Sequence, residues 1–228
     1  MADYIRGNIV AQAYLNFYEA EFNEAVVGVI KVTQDRHAKV IKDELFGIRF
    51  RVTYFVEEGS VRSKVTVVAT TLAAIFSLLE HYGGVWEGIE RLERQAKWFA
   101  ERINEVVVQN ARPETSSPFH SEARRGIPGV LKDFKAELVF LSEHTSSMPP
   151  DEISRRLKRL AERTDQLLEN ISNPQDRQTL ARGFISIATA AKENCPPPLP
   201  SPPRSPALLF RDELEQFLKT LRREFRDV

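Results

Sequence analysis

Proline divides this chain into two regions that cannot be built alike. All 13 prolines lie at or after Pro113, whereas seven of the ten glycines precede it. Proline fixes φ and has no amide hydrogen, so its one-sided distribution marks a boundary between two differently built halves. The polar stretch from Gln109 to Arg125, broken by Pro113 and Pro118, reads as a linker between two folding units. The expected organisation is an α+β domain over 1–109, a linker over 110–125, a helical domain over 126–193, a Pro-rich linker over 194–205 and an amphipathic helix over 206–228.

In the first region Phe46, Ile48, Phe50, Val52 and Tyr54 alternate with Gly47, Arg49, Arg51, Thr53 and Phe55, the period of a strand with one buried face. Val61, Ser63, Val65 and Val67 alternate in the same way with Arg62, Lys64, Thr66 and Val68, after Glu57-Glu58-Gly59-Ser60. This spacing predicts an antiparallel hairpin, with Gly59 free to take positive φ in the turn. Asn8 to Phe17 reads as a third strand. From Glu19 to Glu44 the spacing of Val26, Ile30, Thr33, His37 and Val40 favours a helix over the β-branched run Val26 to Ile30. Thr71 to Tyr82 predicts a short helix ended by Gly83-Gly84, and Ile89, Leu92, Ala96, Phe99, Ile103 and Val106 recur at helical spacing after it. The fold class is therefore α+β: a small antiparallel sheet with helices on one face, followed by an all-α bundle and a C-terminal amphipathic helix.

Three apolar stripes build the helical region: Leu131, Phe134, Leu138 and Leu141; Ile153, Leu157, Leu160, Thr164, Leu167 and Ile171; and Leu180, Phe184, Ile187 and Ala191. Pro149-Pro150-Asp151 and Asn173-Pro174 with Asp176 mark helix starts, with a capping side chain expected beside a first-turn proline. The joining segments are short, so an antiparallel bundle is the economical packing. Cys195 to Pro206 reads CPPPLPSPPRSP, a semi-rigid spacer. Its spaced prolines also suit an aromatic groove, and the linker reading is preferred.

Composition removes several function classes. Lys+Arg and Asp+Glu are both 32, so no net positive charge attracts a polyanion, and nucleic acid is not expected as a partner. The single Cys195 can form neither an internal disulfide nor a cysteine-built zinc site, which with the absence of a cationic, apolar leader suits a cytoplasmic protein. The longest uncharged run, Val65 to Leu79, is short of the roughly 20 apolar residues of a membrane span and is expected to be core.

No Gly-rich phosphate loop and no HExxH is present, and His37, His81, His120 and His144 have no partner at ligand spacing, so no metal and no cofactor is expected. Cys195 sits before three prolines, away from any base that would activate it. Thr115, Ser116, Ser117, His120, Ser121 and Glu122 have the residue types of a hydrolase triad but lie in the expected linker. Glu57-Glu58 reads as a solvated turn. Tyr82 to Ile89, with Gly83, Gly84 and Gly88 around Trp86, reads first as close helix packing and second as a site. Arg155, Arg156, Lys158, Arg159 and Arg163 are interleaved with Glu152, Glu162, Asp165 and Glu169, the pattern of a solvated helix face; Arg222, Arg223 and Arg226 gather on the last helix.

The last helix carries most of the functional expectation. Phe210, Leu214, Phe217, Leu218, Leu221 and Phe225 define an apolar face behind a spacer, a face that can fold back on its own bundle, pair with another copy or enter a partner's groove. These six residues are the expected partner-binding set of a non-enzymatic adaptor or accessory subunit, with one or more proteins as partners, no membrane, and homo-oligomer formation open. The alternatives are a nucleic-acid-binding regulator, such as one of a prokaryotic defence system, using the helix from Asp151 to Ile171, and an enzyme with Glu80, His81 and Trp86 beside the Gly83-Gly84 break.

Overall fold

The expected hairpin forms one side of a four-stranded antiparallel sheet in the computed structural model, which describes residues 7–17, 24–57, 62–111, 119–145, 147–194 and 205–224. The elements run β1 (Ile9–Phe17), α1 (Glu24–Leu45), β2 (Phe50–Glu57), β3 (Arg62–Ala69), α2 (Leu72–His81), α3 (Val85–Ala111), β4 (Phe119–Arg124), α4 (Gly126–His144), α5 (Pro150–Glu169), α6 (Pro174–Asn194) and α7 (Pro206–Glu224). Among the described residues, 7–78 with 90–130 form one compact unit and 79–89 with 131–224 a second. The α+β class with a helical region is thus as the patterns implied.

In the sheet unit the strand order is β2-β3-β1-β4, so the chain follows the β-α-β-β-α-β connectivity of the split βαβ motif, with α2 and α3 together in the second crossover. Register assigns each residue to a face. Ala13 of β1 pairs with Val65 of β3 and Ala123 of β4, and Val65 pairs with Tyr54 of β2, so these share one side with Ala11, Leu15, Phe17, Val67, Val52 and Phe50. That side is the helix-covered one. Gln34 of α1 donates from Nε2 to Ser63 Oγ, Tyr54 OH donates to the Asp35 carbonyl at 3.4 Å, and Asn104 of α3 reaches the Glu122 carbonyl of β4. Phe46 and Phe99 pack edge to face, 6.1 Å between centroids, joining the end of α1 to α3.

Three local expectations are corrected. The first alternating strand starts at Phe50 rather than Phe46: the amides of Phe46 and Gly47 both bond to the Lys42 carbonyl, Gly47 has φ +79°, and residues 46–49 are the C-terminal cap of α1. Ile48 is consequently 94% exposed instead of core. The stretch taken as a linker contains β4, which pairs with β1 from Gln12↔Arg124 to Phe17↔Phe119 and therefore belongs to the sheet. The start of α5 lacks the expected capping side chain, because Pro149 occupies the cap position; Asp151 and Glu152 instead place negative charge in the first turn. At α6 the cap is present, with Gln175 N donating to Asn173 Oδ1 at 2.9 Å.

The helical unit closes around Phe184 of α6, whose ring lies 4.6 Å from that of Phe134 of α4, with Phe217 of α7 6.2 Å from Phe134 on another side. Ile153, Leu157, Leu160, Leu180, Ile187 and Ala191 are buried as their stripes required. The fourth helix completes the bundle: α7 packs on α5 and α6. Ser205 caps it through Oγ to the Leu208 amide, with Pro206 as the first helical residue. The run Val65 to Leu79 is core: Val65, Val67, Leu72, Ile75 and Leu79 are all fully buried, and among the described residues no helix is long and apolar enough to cross a membrane.

Candidate functional site

The side of the sheet away from α1 and α3 has a composition unlike the core side. Strand pairing sets its residues in rows across all four strands: Phe55, Lys64, Tyr14 and Glu122 in one; Thr53, Thr66, Gln12 and Arg124 in the next; and Arg62, Asn16 and His120 on the other flank. Arg51, beside Val68, continues it along β2 and β3. Arg51, Thr53, Phe55, Arg62 and His120 are exposed, Tyr14, Lys64, Glu122 and Arg124 are half-buried, and Gln12, Thr66 and Asn16 among them are buried. The middle is fixed by a short network in which Gln12 Nε2 donates to Thr66 Oγ1 at 3.0 Å and Arg124 Nη1 donates to Gln12 Oε1 at 3.1 Å.

Two aromatic rings stand on this face, each next to a cation. Phe55 is 55% exposed, and the Lys64 ammonium lies 5.8 Å from its centroid. Tyr14 has the Arg124 guanidinium 5.0 Å over its ring and the His120 ring 6.2 Å away, edge on. Arg124 also bonds Glu122 at 2.7 Å, and this hydrogen bond, with the guanidinium's charge, holds the Glu122 carboxyl below its ordinary range. By register the face carries Arg51, Arg62, Lys64 and Arg124 against Glu122 and Glu57, the latter paired in register with Arg62, so cations outnumber acids there although the chain is neutral. The half-exposed Phe55 ring beside Lys64 presents a flat, π-bearing surface to a ligand.

The residues singled out in the sequence fall elsewhere. Phe210, Leu214, Leu218 and Leu221 of α7 are buried within their own unit, Phe217 is half-buried beside Phe134, and Phe225 lies outside the described residues. Four of the six residues of this face are thus packed into the bundle, the first of the three fates its pattern allowed. On α5 the cations separate: Arg155 pairs with Glu152, while Arg156 bonds Glu152 at 2.8 Å and Glu137 at 3.0 Å and lies 4.9 Å over Phe140. Arg159 and Arg163, with Arg156, line a cavity of about 210 Å³.

Around the Gly83-Gly84 break, both glycines have φ +103°, and a Cβ on Gly88 would stand 2.5 Å from the Leu79 carbonyl oxygen. Close packing explains Gly88, and the positive φ of the turn explains Gly83 and Gly84. Trp86 accepts a 2.8 Å hydrogen bond from Lys135 Nζ at its carbonyl and has that ammonium 4.5 Å over its ring, while Glu80 and His81 are exposed at the end of α2. Of the triad-type cluster, His120, Ser121 and Glu122 are successive residues of β4 and so alternate between faces; Thr115, Ser116 and Ser117 lie outside the described residues, as do Glu58, Cys195 and the spaced prolines through Pro203. Among the described residues no group of three His, Cys, Asp or Glu side chains is placed to hold a metal ion.

The open face was missed in the sequence because Phe55 and Tyr14 read as ordinary strand residues. Its signal was the polar half of each alternation, Arg51, Thr53, Arg62, Lys64 and Thr66, which sets cations and hydroxyls side by side once β2 and β3 pair. Compared with known proteins, the chain matches no family model, no curated protein and no solved structure.

Proposed function

We propose that this protein is a non-enzymatic binding module that holds a single-stranded nucleic acid on the open face of its sheet. The observation that carries the reading is the row Phe55–Lys64–Tyr14, two aromatic platforms with a cation between them, flanked by Arg51, Arg62 and Arg124. Base–aromatic stacking contributes roughly 1–3 kcal/mol per base and tolerates any base, while the cations meet phosphates. Geometry selects the strandedness. Phe55 and Tyr14 are two strands apart, about 10 Å by the usual strand spacing, whereas successive bases of a duplex are about 3.4 Å apart and present only edges. Only an unstacked strand can lay bases on both rings.

The zero net charge argued against nucleic acid as a partner, but that argument concerns the long-range field of the whole chain. Contact with a single strand depends on charges within a Debye length, about 10 Å, and there Arg51, Arg62, Lys64 and Arg124 outnumber Glu57 and Glu122. An accessory or regulatory role, as expected from the sequence, is consistent with this ligand.

Fluorescence anisotropy of the full chain with a labelled mixed-sequence single-stranded RNA of about 12 nucleotides, its DNA counterpart and the duplex tests the reading at about 50 mM salt. Binding of the single strands, preferred over the duplex and weakened by Phe55→Ala and Tyr14→Ala but not by Arg159→Ala, is expected. Absence of binding, or binding indifferent to both sheet substitutions, overturns the proposal.

A further inference from the structure

β4 is the last strand of the sheet on its side: among the described residues no further strand pairs with its outer edge. The outward amide and carbonyl groups of an unpaired edge are a template for another extended chain, which is why natural edges are commonly covered or charged. Beside β4 the cover is incomplete. A cavity of about 490 Å³ runs between Glu101, Asn104, Glu105 and Val108 of α3 and Ser121 and Ala123 of β4. Ser121 and Ala123 are small and point to the helix-covered side, and this leaves the space open below α3. Asn104 spans part of it, with a long 3.4 Å contact from Nδ2 to the Glu122 carbonyl.

The wall of this groove has one sign of charge. Its described ionisable residues are Glu101 and Glu105. Each has a partner on its own helix, Lys97 at 3.6 Å and Arg102 at 2.6 Å, but these are exposed pairs of the kind that contribute little and exchange readily. Glu101 and Glu105 are one turn apart, about 6 Å along a helix, close to the roughly 6.7 Å between alternate residues of an extended strand.

We propose that this groove takes a basic, extended peptide segment of another protein, added to the sheet as a fifth strand beside β4. Its backbone bonds to the edge of β4, and alternate Lys or Arg side chains enter the groove to meet Glu105 and Glu101. The groove lies on the helix-covered side, so the peptide leaves Tyr14 and Phe55 free. The proposal therefore stands independently of the nucleic-acid reading.

The test is an NMR titration of the ¹⁵N-labelled full chain with three synthetic heptapeptides: one alternating Lys and Val, its Glu and Val counterpart, and the Lys and Val peptide N-methylated at alternate residues. Shifts of the β4 amides with the first peptide alone are expected, and Glu101→Gln with Glu105→Gln weakens that binding about fivefold. Equal binding of the acidic or the N-methylated peptide, shifts confined to residues outside β4 and α3, or an unchanged affinity in the double variant overturns the proposal. So does sedimentation equilibrium showing the free chain dimeric with β4 amides protected from exchange, because the occupant is then a second copy. The peptide series is read on the unmodified chain and does not depend on how the double variant folds.

Discussion

Tyr14 and Phe55 lie in one row across the sheet, on β1 and β2, each paired with Lys64 of the strand between them. Their sequence separation is large, and their alignment exists only through the β1–β3 and β2–β3 registers. A single substitution should therefore separate binding from folding. Phe55→Ala removes a half-exposed ring, so unfolding stability should change by less than about 0.5 kcal/mol, while affinity for a single strand falls about 5- to 150-fold. Anisotropy and urea denaturation of the same preparation check both.

Salt dependence reports the cations. If Lys64 contacts a phosphate, Lys64→Gln should lower the slope of log affinity against log salt by about 0.7, the value for one contact on a single strand. Arg155→Gln, on a residue already paired with Glu152, should leave the slope unchanged. Titrations at four salt concentrations, repeated for each variant, measure the difference.

Two glycines should respond in opposite directions. Gly126 has φ +55°, and a Cβ there would be 2.3 Å from the Ile9 carbonyl oxygen and 2.7 Å from that of Val10. Gly126→Ala should destabilise the sheet unit by about 2 kcal/mol or more, through backbone strain and overpacking. Gly28 is inside α1, and a Cβ there would meet nothing within 4 Å. Gly28→Ala should stabilise by about 0.5–1 kcal/mol, because it removes freedom from the unfolded chain. Circular dichroism against denaturant reads both signs.

The docking of α7 makes a further prediction. Leu214 is fully buried in the bundle, so Leu214→Ala should cost about 2–5 kcal/mol. A chain ending at Asn194 should expose the apolar faces of α5 and α6 and bind a hydrophobic dye that the full chain does not. If α7 is instead a ligand for a partner, truncation leaves the dye signal and the stability of the helical unit unchanged.

Asp165 on α5 gives a pH dependence with a definite sign. Partial desolvation on an otherwise exposed helix face, with the like charge of Glu169, pushes its carboxyl above the ordinary range. The folded state then holds the proton more tightly than the unfolded one, so this group favours folding at low pH and that contribution is lost as pH rises through the raised value. Asp165→Asn should be more stable than the parent at neutral pH, with the gain disappearing below the ordinary aspartate range. Parallel thermal melts from pH 3 to pH 7, about four units, follow the difference.

Local pattern made most elements legible. The alternation through Val52 and Val65, the three-and-four spacing from Ile89 to Val106 and the stripes of α4, α5 and α6 each state a period that only one secondary structure satisfies. Gly83-Gly84 and Asn173-Pro174 ended and started helices for reasons contained in their own backbones. Where local rules compete, legibility failed: Phe46 and Ile48 continue the strand alternation, yet Gly47 caps the helix before them.

What only the tertiary structure decided is long-range. The sequence Phe119-His120-Ser121-Glu122-Ala123-Arg124 has weak strand character and becomes β4 because β1, more than a hundred residues earlier, offers it an edge, as in Gln12↔Arg124. The apolar face of α7 was visible, but its destination depended on the seam left between α5 and α6, which no single helix encodes. The candidate site is of the same kind. The chain by itself determined that Tyr14, Phe55 and Lys64 sit on strands; pairing alone put them on one face with Arg124, because register is a relation between segments and its energy is realised only when they meet.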